Sequence, residues 1–101
     1  MTIVTSGSYG KPRPALVMQA DAFQTIPSVT VLPLTSDLHD EGLVRIAVQP
    51  GAHSGLRAVS QVMIDKALTV PRTKVGDVIG RADDDTLRAV GVALGRFLGL
   101  A

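Results

Sequence analysis

The spacing of apolar residues changes once along this chain, and that change restricts the folds that the chain can adopt. Up to about residue 82, short runs rich in Val, Ile and Leu alternate with turn residues, which is typical of short strands. From Asp83 onward, apolar residues recur at helical spacing. Many short strands followed by one helix predict a small, strongly bent antiparallel barrel with a packing helix at its C-terminal end.

Six segments have the composition of strands. They are residues 3–5, 14–20, 29–34, 43–49, 59–65 and 75–82, and residues 66–70 could continue the fifth. The second segment is almost wholly apolar, which favours burial on both faces. Pro33 lacks a backbone donor, so we expect an edge position or a bulge for its strand. Gly76 and Gly80 suggest bends of the kind that small barrels use at corners.

Three consecutive carboxylates at residues 83–85 predict the start of the helix, because the positive end of a helix favours acidic caps. A divalent-metal site there is disfavoured, since consecutive side chains fan outward. Gly99 is placed to end the helix. Gly91 and Gly95 share one face, which suggests that another backbone approaches it closely. The predicted apolar stripe consists of Leu87, Val90, Leu94, Phe97 and Leu98.

The composition excludes several classes of protein. A chain of 101 residues is predicted to form one domain, residues 1–101. Its formal net charge of +1 means that a nucleic-acid site would need local sorting of charge. The sequence has no cysteine, which excludes disulfides and thiolate nucleophiles and fits a reducing cytoplasm. No apolar run reaches membrane-spanning length, no signal peptide is evident, and no metal or cofactor motif is present.

A basic segment directly before an apolar strand is the first candidate functional feature. Lys11 and Arg13 alternate with prolines in residues 10–14. Prolines stiffen the backbone, and an arginine at a strand entrance can bind phosphate as a fork. The alternative is an exposed basic turn without a ligand.

A lone carboxylate is the second candidate. Asp65 lies in an otherwise apolar segment, and the alternative to a functional role is a salt bridge with Lys66. The two histidines, His39 and His53, fall in different predicted loops. That separation favours solvated side chains over a metal pair.

Four segments, in order along the chain, carry motifs that occur together in one known family. Residues 10–19 are similar to a family strand in which Gly, two variable residues and Arg-Pro are followed by hydrophobic residues. Residues 29–36 are similar to a family strand that ends in a Pro-x-Thr-Ser-like turn. Residues 60–70 look like the strand Ser-x-Val-x-x-Asp-Gln-x-Arg-Thr-Ile/Val. Residues 76–80 and the C-terminal helix also fit. Together these segments resemble the MazF/PemK toxins, which are the ribonucleases of bacterial toxin–antitoxin pairs, and the resemblance covers most of the chain.

The resemblance implies a mainly β fold with a C-terminal α-helix, an SH3-like small antiparallel barrel of the CcdB/PemK type. It implies a homodimer that cleaves single-stranded RNA without a metal or cofactor, and a cognate antitoxin as partner. Arg13 and Thr35 would be the catalytic pair, and Asp65 would take part as in some members. Four further residues would bind substrate: Tyr9, Lys11, Ser36 and Lys66.

The residue types suit the chemistry of RNA cleavage through the 2′-hydroxyl. That reaction needs a proton acceptor, a donor to the leaving oxygen and positive charge at the phosphorus. Arg13 can stabilise charge but gives up its proton reluctantly. Thr35 can donate a hydrogen bond to a non-bridging oxygen, and Asp65 is the candidate base.

The chain also departs from the family pattern. Lys66 and Leu68 stand where the family usually has Gln and Arg, the Arg-Gly-Asp opening is missing, and no His lies in the first loop. Two alternatives therefore stay open. One is a CcdB-like DNA gyrase poison, although the Trp-Gly-Ile signature of its C-terminus is absent. The other is a catalytically inactive binding module of the same fold.

Overall fold

The computed structural model describes residues 2–6, 13–40 and 42–100. Those residues form a sheet and one helix, α1 (Asp84–Phe97), with short 3₁₀ turns at Asp21–Phe23, Ile64–Lys66 and Arg72–Lys74. The strands are β1 (Thr2–Ser6), β2 (Arg13–Val17), β3 (Ser28–Thr35), β4 (Arg45–Val48), β5 (Ser60–Met63), β6 (Leu68–Pro71) and β7 (Val75–Arg81).

The sheet is antiparallel, with the strand order β4-β5-β3-β2-β1-β7 and β6 paired to β3 beside this path. β4 and β7 are the two ends of the path, so the barrel-like sheet is open. The predicted mainly β fold with a C-terminal helix is confirmed. Among the described helices, none has the length and apolar character needed to cross a membrane.

β3 lies in the middle of the sheet, so of the two expectations from Pro33, an edge position or a bulge, the edge position is wrong. On one side β3 pairs with β2, and on the other it pairs first with β6 and then with β5. The backbone of Thr30 faces β2, because its carbonyl accepts from the Met18 amide at 3.0 Å. Peptide groups alternate along a strand, so the nitrogen of Pro33 faces the other side. There it falls between the partners β6 and β5, where no donor is needed.

The fifth predicted strand is divided by a turn. The sequence favoured one strand over residues 59–65 with a continuation to residue 70, but the 3₁₀ turn Ile64–Lys66 separates β5 from β6. Ile64 is fully buried, and its amide donates to the carbonyl of Val44 at 3.0 Å. The turn lets β5 pair with the end of β3 while β6 pairs with its beginning. Asp65 therefore lies on a turn and not inside a strand.

Two apolar clusters cover the two faces of the sheet. Neighbouring residues of a strand point to opposite faces, so Leu16 belongs to one cluster and Ala15 to the other. The predicted burial of this strand on both faces is thereby confirmed. The main core contains Ile3, Leu16, Leu32, Leu34, Val48, Leu56, Val62, Ile64, Ala82, Val90 and Ala93. The smaller cluster contains Ala15, Val29, Val31 and Val70.

The helix begins as the sequence predicts. Asp83 is its N-cap, and Oδ1 of Asp83 accepts from the Thr86 amide at 2.8 Å. The hydrogen bonds from Thr86, chiefly the one from its backbone, hold the pKa of Asp83 below its ordinary value. Gly99 follows the helix with φ of 75°, a left-handed conformation that favours glycine.

Only part of the predicted apolar stripe of α1 packs against the sheet. Val90 is fully buried and Ala93 nearly so, with Leu87 and Leu94 packed partly against the same core. The last two members of the stripe are exposed, Phe97 at 51% and Leu98 at 56%. The final turn of the helix therefore presents an apolar surface to its surroundings.

Two glycines in the described structure differ in the space around them. A Cβ on Gly80 would lie 2.1 Å from the carbonyl oxygen of Ser54, so β7 approaches that loop closely. A Cβ on Gly91 would meet nothing within 4 Å among the described residues. The close backbone approach expected at Gly91 is therefore wrong within this part of the chain.

We expect Gly91→Ala to raise the free energy of unfolding by about 0.5–1 kcal/mol, because alanine favours a helix interior. Gly80→Ala should lower it, since the new methyl group would collide with backbone. Urea unfolding followed by far-UV circular dichroism measures both changes. A destabilised Gly91→Ala variant would contradict the open space at this position.

Candidate functional site

Arg13 and Thr35 lie on neighbouring strands at one end of the sheet. The register pairs Ala15 of β2 with Pro33 of β3. Continued to the first residue of β2, the same register places Arg13 opposite Thr35. Directly opposed residues of an antiparallel pair share a face, with Cβ atoms about 5 Å apart. The fold therefore brings together the two residues that the sequence predicted as a catalytic pair.

The same row continues across β5 and β4. Thr35 pairs with Gln61, and Gln61 pairs with Ala47. The neighbours Leu34 and Val62 point into the main core. Because side chains alternate along a strand, the row Arg13–Thr35–Gln61 lies on the opposite face of the sheet.

The donors of this row face outward. Arg13 is exposed, and within residues 2–6, 13–40 and 42–100 its side chain makes no hydrogen bond or ion pair, so its guanidinium can meet an anion. Oγ1 of Thr35 accepts from the Asp37 amide at 3.0 Å, which leaves the hydroxyl hydrogen free to donate. Ser36 follows Thr35 and is exposed. Together these groups can bind the oxygens of a phosphate.

The loop after β3 is tied to β5 by one side chain. Nε2 of Gln61 donates to the His39 carbonyl at 2.9 Å, and the His39 amide donates to Oε1 of Gln61 at 3.0 Å. Nε2 of His39 lies 3.2 Å from Oδ2 of Asp37. Sequence reasoning treated His39 as a solvated loop residue and missed this network. No sequence signal reveals it, because it depends on the register of β3 with β5.

Asp65 makes its side-chain contacts with two cations, Arg45 and Lys66. Its Oδ1 accepts from Nη1 of Arg45 at 2.9 Å, while Oδ2 lies 3.9 Å from Nζ of Lys66. The Arg45 side chain is only 9% exposed, so Arg45 is the principal partner and Lys66 a weaker one. In the described part of the chain, Asp65 makes no hydrogen bond to Arg13 or Thr35.

Leu68 is an apolar residue on the same face of the sheet as Arg13 and Thr35. Leu68 pairs with Val31, which lies on the same side of β3 as Thr35, and Leu68 is 44% exposed. The position where the resembling family usually carries an arginine therefore does belong to this surface, but here it offers apolar contact and no charge.

Two predicted substrate-binding residues, Tyr9 and Lys11, lie outside the described residues. Within the described ranges, no three His, Asp or Glu side chains are grouped in a way that could hold a metal ion.

The match to known proteins agrees with this arrangement. A model of the PemK-like, MazF-like toxins of type II toxin–antitoxin systems matches residues 2–98. The chain belongs to this family, and the resemblance seen in the sequence is confirmed. A curated relative, the probable endoribonuclease MazF of Mycolicibacterium smegmatis, is 43% identical in an alignment of 101 positions that covers 99% of this chain and 93% of the relative.

Solved structures show the same fold. Toxin MazF-mt6 of Mycobacterium tuberculosis superposes with a TM-score of 0.87 at 24% identity, covering 100% of this chain and 99% of that one. The structure of a MazE–MazF complex from Deinococcus radiodurans superposes with a TM-score of 0.79 at 26% identity, and the match covers 99% of this chain and 93% of that one. A mycobacterial endoribonuclease in complex with its cognate antitoxin superposes with a TM-score of 0.83 at 21% identity, and the match covers 99% of this chain and 93% of that one.

The contacts of Asp65 predict a measurable structural contribution. Asp65→Ala removes the carboxylate from the nearly buried Arg45, so we expect the free energy of unfolding to fall by about 1–3 kcal/mol. Lys66→Ala breaks only an exposed, longer pair and should change it by less than about 0.5 kcal/mol. Chemical denaturation of both variants tests this, and equal losses would contradict the assignment of Arg45 as principal partner.

Proposed function

We propose that this protein is the toxin of a type II toxin–antitoxin pair and acts as an endoribonuclease on single-stranded RNA. The observation that supports this most is the placement of Arg13 and Thr35 opposite each other on an exposed face. The name of the 43% identical relative, a probable endoribonuclease, supports the same activity.

In the proposed reaction, the 2′-oxygen of the substrate attacks the adjacent phosphorus and the bond from phosphorus to the 5′-oxygen breaks. The products are a 2′,3′-cyclic phosphate and a 5′-hydroxyl end. Arg13 stabilises the charge that develops on the phosphate oxygens, because its planar fork can donate two hydrogen bonds to them. Thr35 donates its free hydroxyl hydrogen to a non-bridging oxygen, and Ser36 lies beside it.

The roles of the remaining site residues predicted from the sequence stay predictions. Lys66, Lys11 and Tyr9 would contact the RNA strand. Asp65 holds Arg45, which lies opposite Met63 and so on the same face as Gln61. A catalytic part for Asp65 would require its carboxylate to act from within that ion pair.

The two alternative functions have less support. The relatives described above are MazF proteins, which favours the ribonuclease over a CcdB-like gyrase poison. A catalytically inactive binding module is suggested by Leu68, which leaves the face without one positive charge. The shared face of Arg13 and Thr35 favours the active enzyme.

We further propose two protein partners. The first is an antitoxin, since solved relatives include a MazE–MazF complex and an endoribonuclease with its cognate antitoxin. The second is another copy of this chain, seated on the apolar end of α1. Leu43, Val92 and Phe97 are 77%, 53% and 51% exposed there, and they line a groove of about 340 Å³. Action on cellular RNA would place the protein in the cytoplasm.

The ribonuclease proposal predicts cleavage that depends on Arg13. Purified protein should cut a mixed-sequence RNA at discrete sites in the presence of EDTA, and Arg13→Ala should lower the rate at least about 100-fold, because charge stabilisation is lost. Gel analysis of end-labelled RNA measures both rates, and the 2′,3′-cyclic phosphate identifies the reaction.

Arg88→Ala is the matched control, because Arg88 is an exposed arginine on α1, away from the row. This variant should cut at the parent's rate. Parent-like cleavage by Arg13→Ala would show that the site is wrongly assigned. Absence of cleavage by well-folded parent, together with inhibition of DNA gyrase, would favour the CcdB-like alternative.

The homodimer proposal predicts that a charge in the apolar groove separates the copies. We expect the parent to sediment as a dimer and Val92→Asp to sediment as a monomer, because a buried unpaired carboxylate opposes association. Analytical ultracentrifugation gives both masses, with Arg88→Asp as a control outside the groove. A monomeric parent would contradict the homodimer, and a dimeric Val92→Asp would place the interface elsewhere.

A further inference from the structure

His39 is held close to the Arg13–Thr35 row at two points. Its backbone amide and carbonyl are both bonded to the side chain of Gln61, at 3.0 and 2.9 Å. Gln61 is the residue directly opposite Thr35. Asp37 connects Thr35 with His39. Its backbone amide donates to Oγ1 of Thr35, and its carboxylate lies 3.2 Å from Nε2 of His39. These contacts hold the backbone of His39 close to Gln61 and Thr35, and its half-exposed imidazole contacts Asp37 of the same loop.

The contact with Asp37 defines which ring nitrogen of His39 can react. An ionised carboxylate can only accept a hydrogen bond, so Nε2 of His39 carries the hydrogen in the 3.2 Å contact. In the neutral ring the lone pair is then on Nδ1. A carboxylate that orients an imidazole in this way also stabilises the cation formed when the ring takes up a proton.

The row itself lacks a proton acceptor. Arg13 holds its protons at all ordinary pH values, and a threonine hydroxyl is a poor base. Asp65 is occupied by Arg45 at 2.9 Å. An imidazole is the side chain that ordinarily changes charge between about pH 5 and pH 8, which suits a base working at neutral pH.

We propose that His39 is a catalytic residue of this enzyme, the general base that accepts the proton of the attacking 2′-hydroxyl. This inference rests on the proposed ribonuclease function. Nδ1 of His39 takes the proton while the bond from the 2′-oxygen to phosphorus forms and the bond to the 5′-oxygen breaks. The departing 5′-oxygen takes a proton from water, and the imidazolium later returns its proton to solvent.

The charged groups around His39 favour this cycle. Asp37 contacts the ring directly, and Asp40 follows it in the chain. Gln61 is neutral, and Arg13 lies across the row on β2. The carboxylate of Asp37 orients the ring, while Arg13 and Thr35 stay directed at the phosphate.

The test compares His39→Ala with His53→Ala on the same RNA. His53, the other histidine, lies on a separate exposed loop and serves as the matched control. We expect His39→Ala to lower kcat about 100-fold or more with little change in KM, and His53→Ala to stay near the parent's rate. Free imidazole should restore part of the rate of His39→Ala, in proportion to its neutral form, because the small base can enter the vacated space.

A pH–rate profile gives a second readout. The parent's rate should rise with pH as the neutral form of the base becomes available, and this rise should be absent in His39→Ala. Circular dichroism checks that each variant is folded. A purely structural role would lower the rate without imidazole rescue and would leave the rise in place, which would overturn the proposal.

Other outcomes separate this proposal from the one on which it rests. If His39→Ala cuts RNA within about threefold of the parent while Arg13→Ala is inactive, the ribonuclease stands and the role of His39 is refuted. If the rise with pH disappears in Asp65→Asn instead, Asp65 is the base. A folded parent that cuts no RNA in EDTA would remove both proposals together.

Discussion

The register of β3 is the constraint on which the rest of this molecule depends. β3 pairs with β2 on one side and with both β6 and β5 on the other, so it determines where four strands lie relative to one another. Pro33 is tolerated because its nitrogen falls between the two partners on one side. The same register aligns Arg13, Thr35 and Gln61 in one row. A slip by one residue would turn this row into the core, since side chains alternate between faces.

The two faces of the sheet carry different kinds of side chain. The face toward α1 carries the large aliphatic side chains of the core, whose burial stabilises the fold. The opposite face carries exposed donors at the ends of β2 and β3, together with the Arg45–Asp65 pair farther along. Polar groups at strand ends can change function with little effect on the core. The replacement of a family arginine by Leu68 on this face is tolerated by the fold for the same reason.

The sequence predicted the elements well because their signals are local. Asp83 at the start of α1 and the apolar segment around Leu16 depend only on neighbouring residues, and both predictions are confirmed. Two other expectations were wrong because they depended on neighbours in space. Pro33 indicated an edge strand or a bulge, and the edge strand is wrong. The apolar spacing allowed residues 66–70 to continue the fifth strand, without the turn at Ile64–Lys66.

By itself, the sequence determined the strand composition, the helix and its cap, the family and the identity of the basic and hydroxyl residues proposed for the site. These follow from side-chain chemistry and short-range spacing. Tertiary structure alone decided that Asp65 pairs with Arg45, that Leu68 lies on the site's face and that His39 is tied to Gln61, 22 residues away. Each of these contacts joins residues from different strands or loops, and only the pairing of strands around β3 brings them within hydrogen-bonding or van der Waals distance.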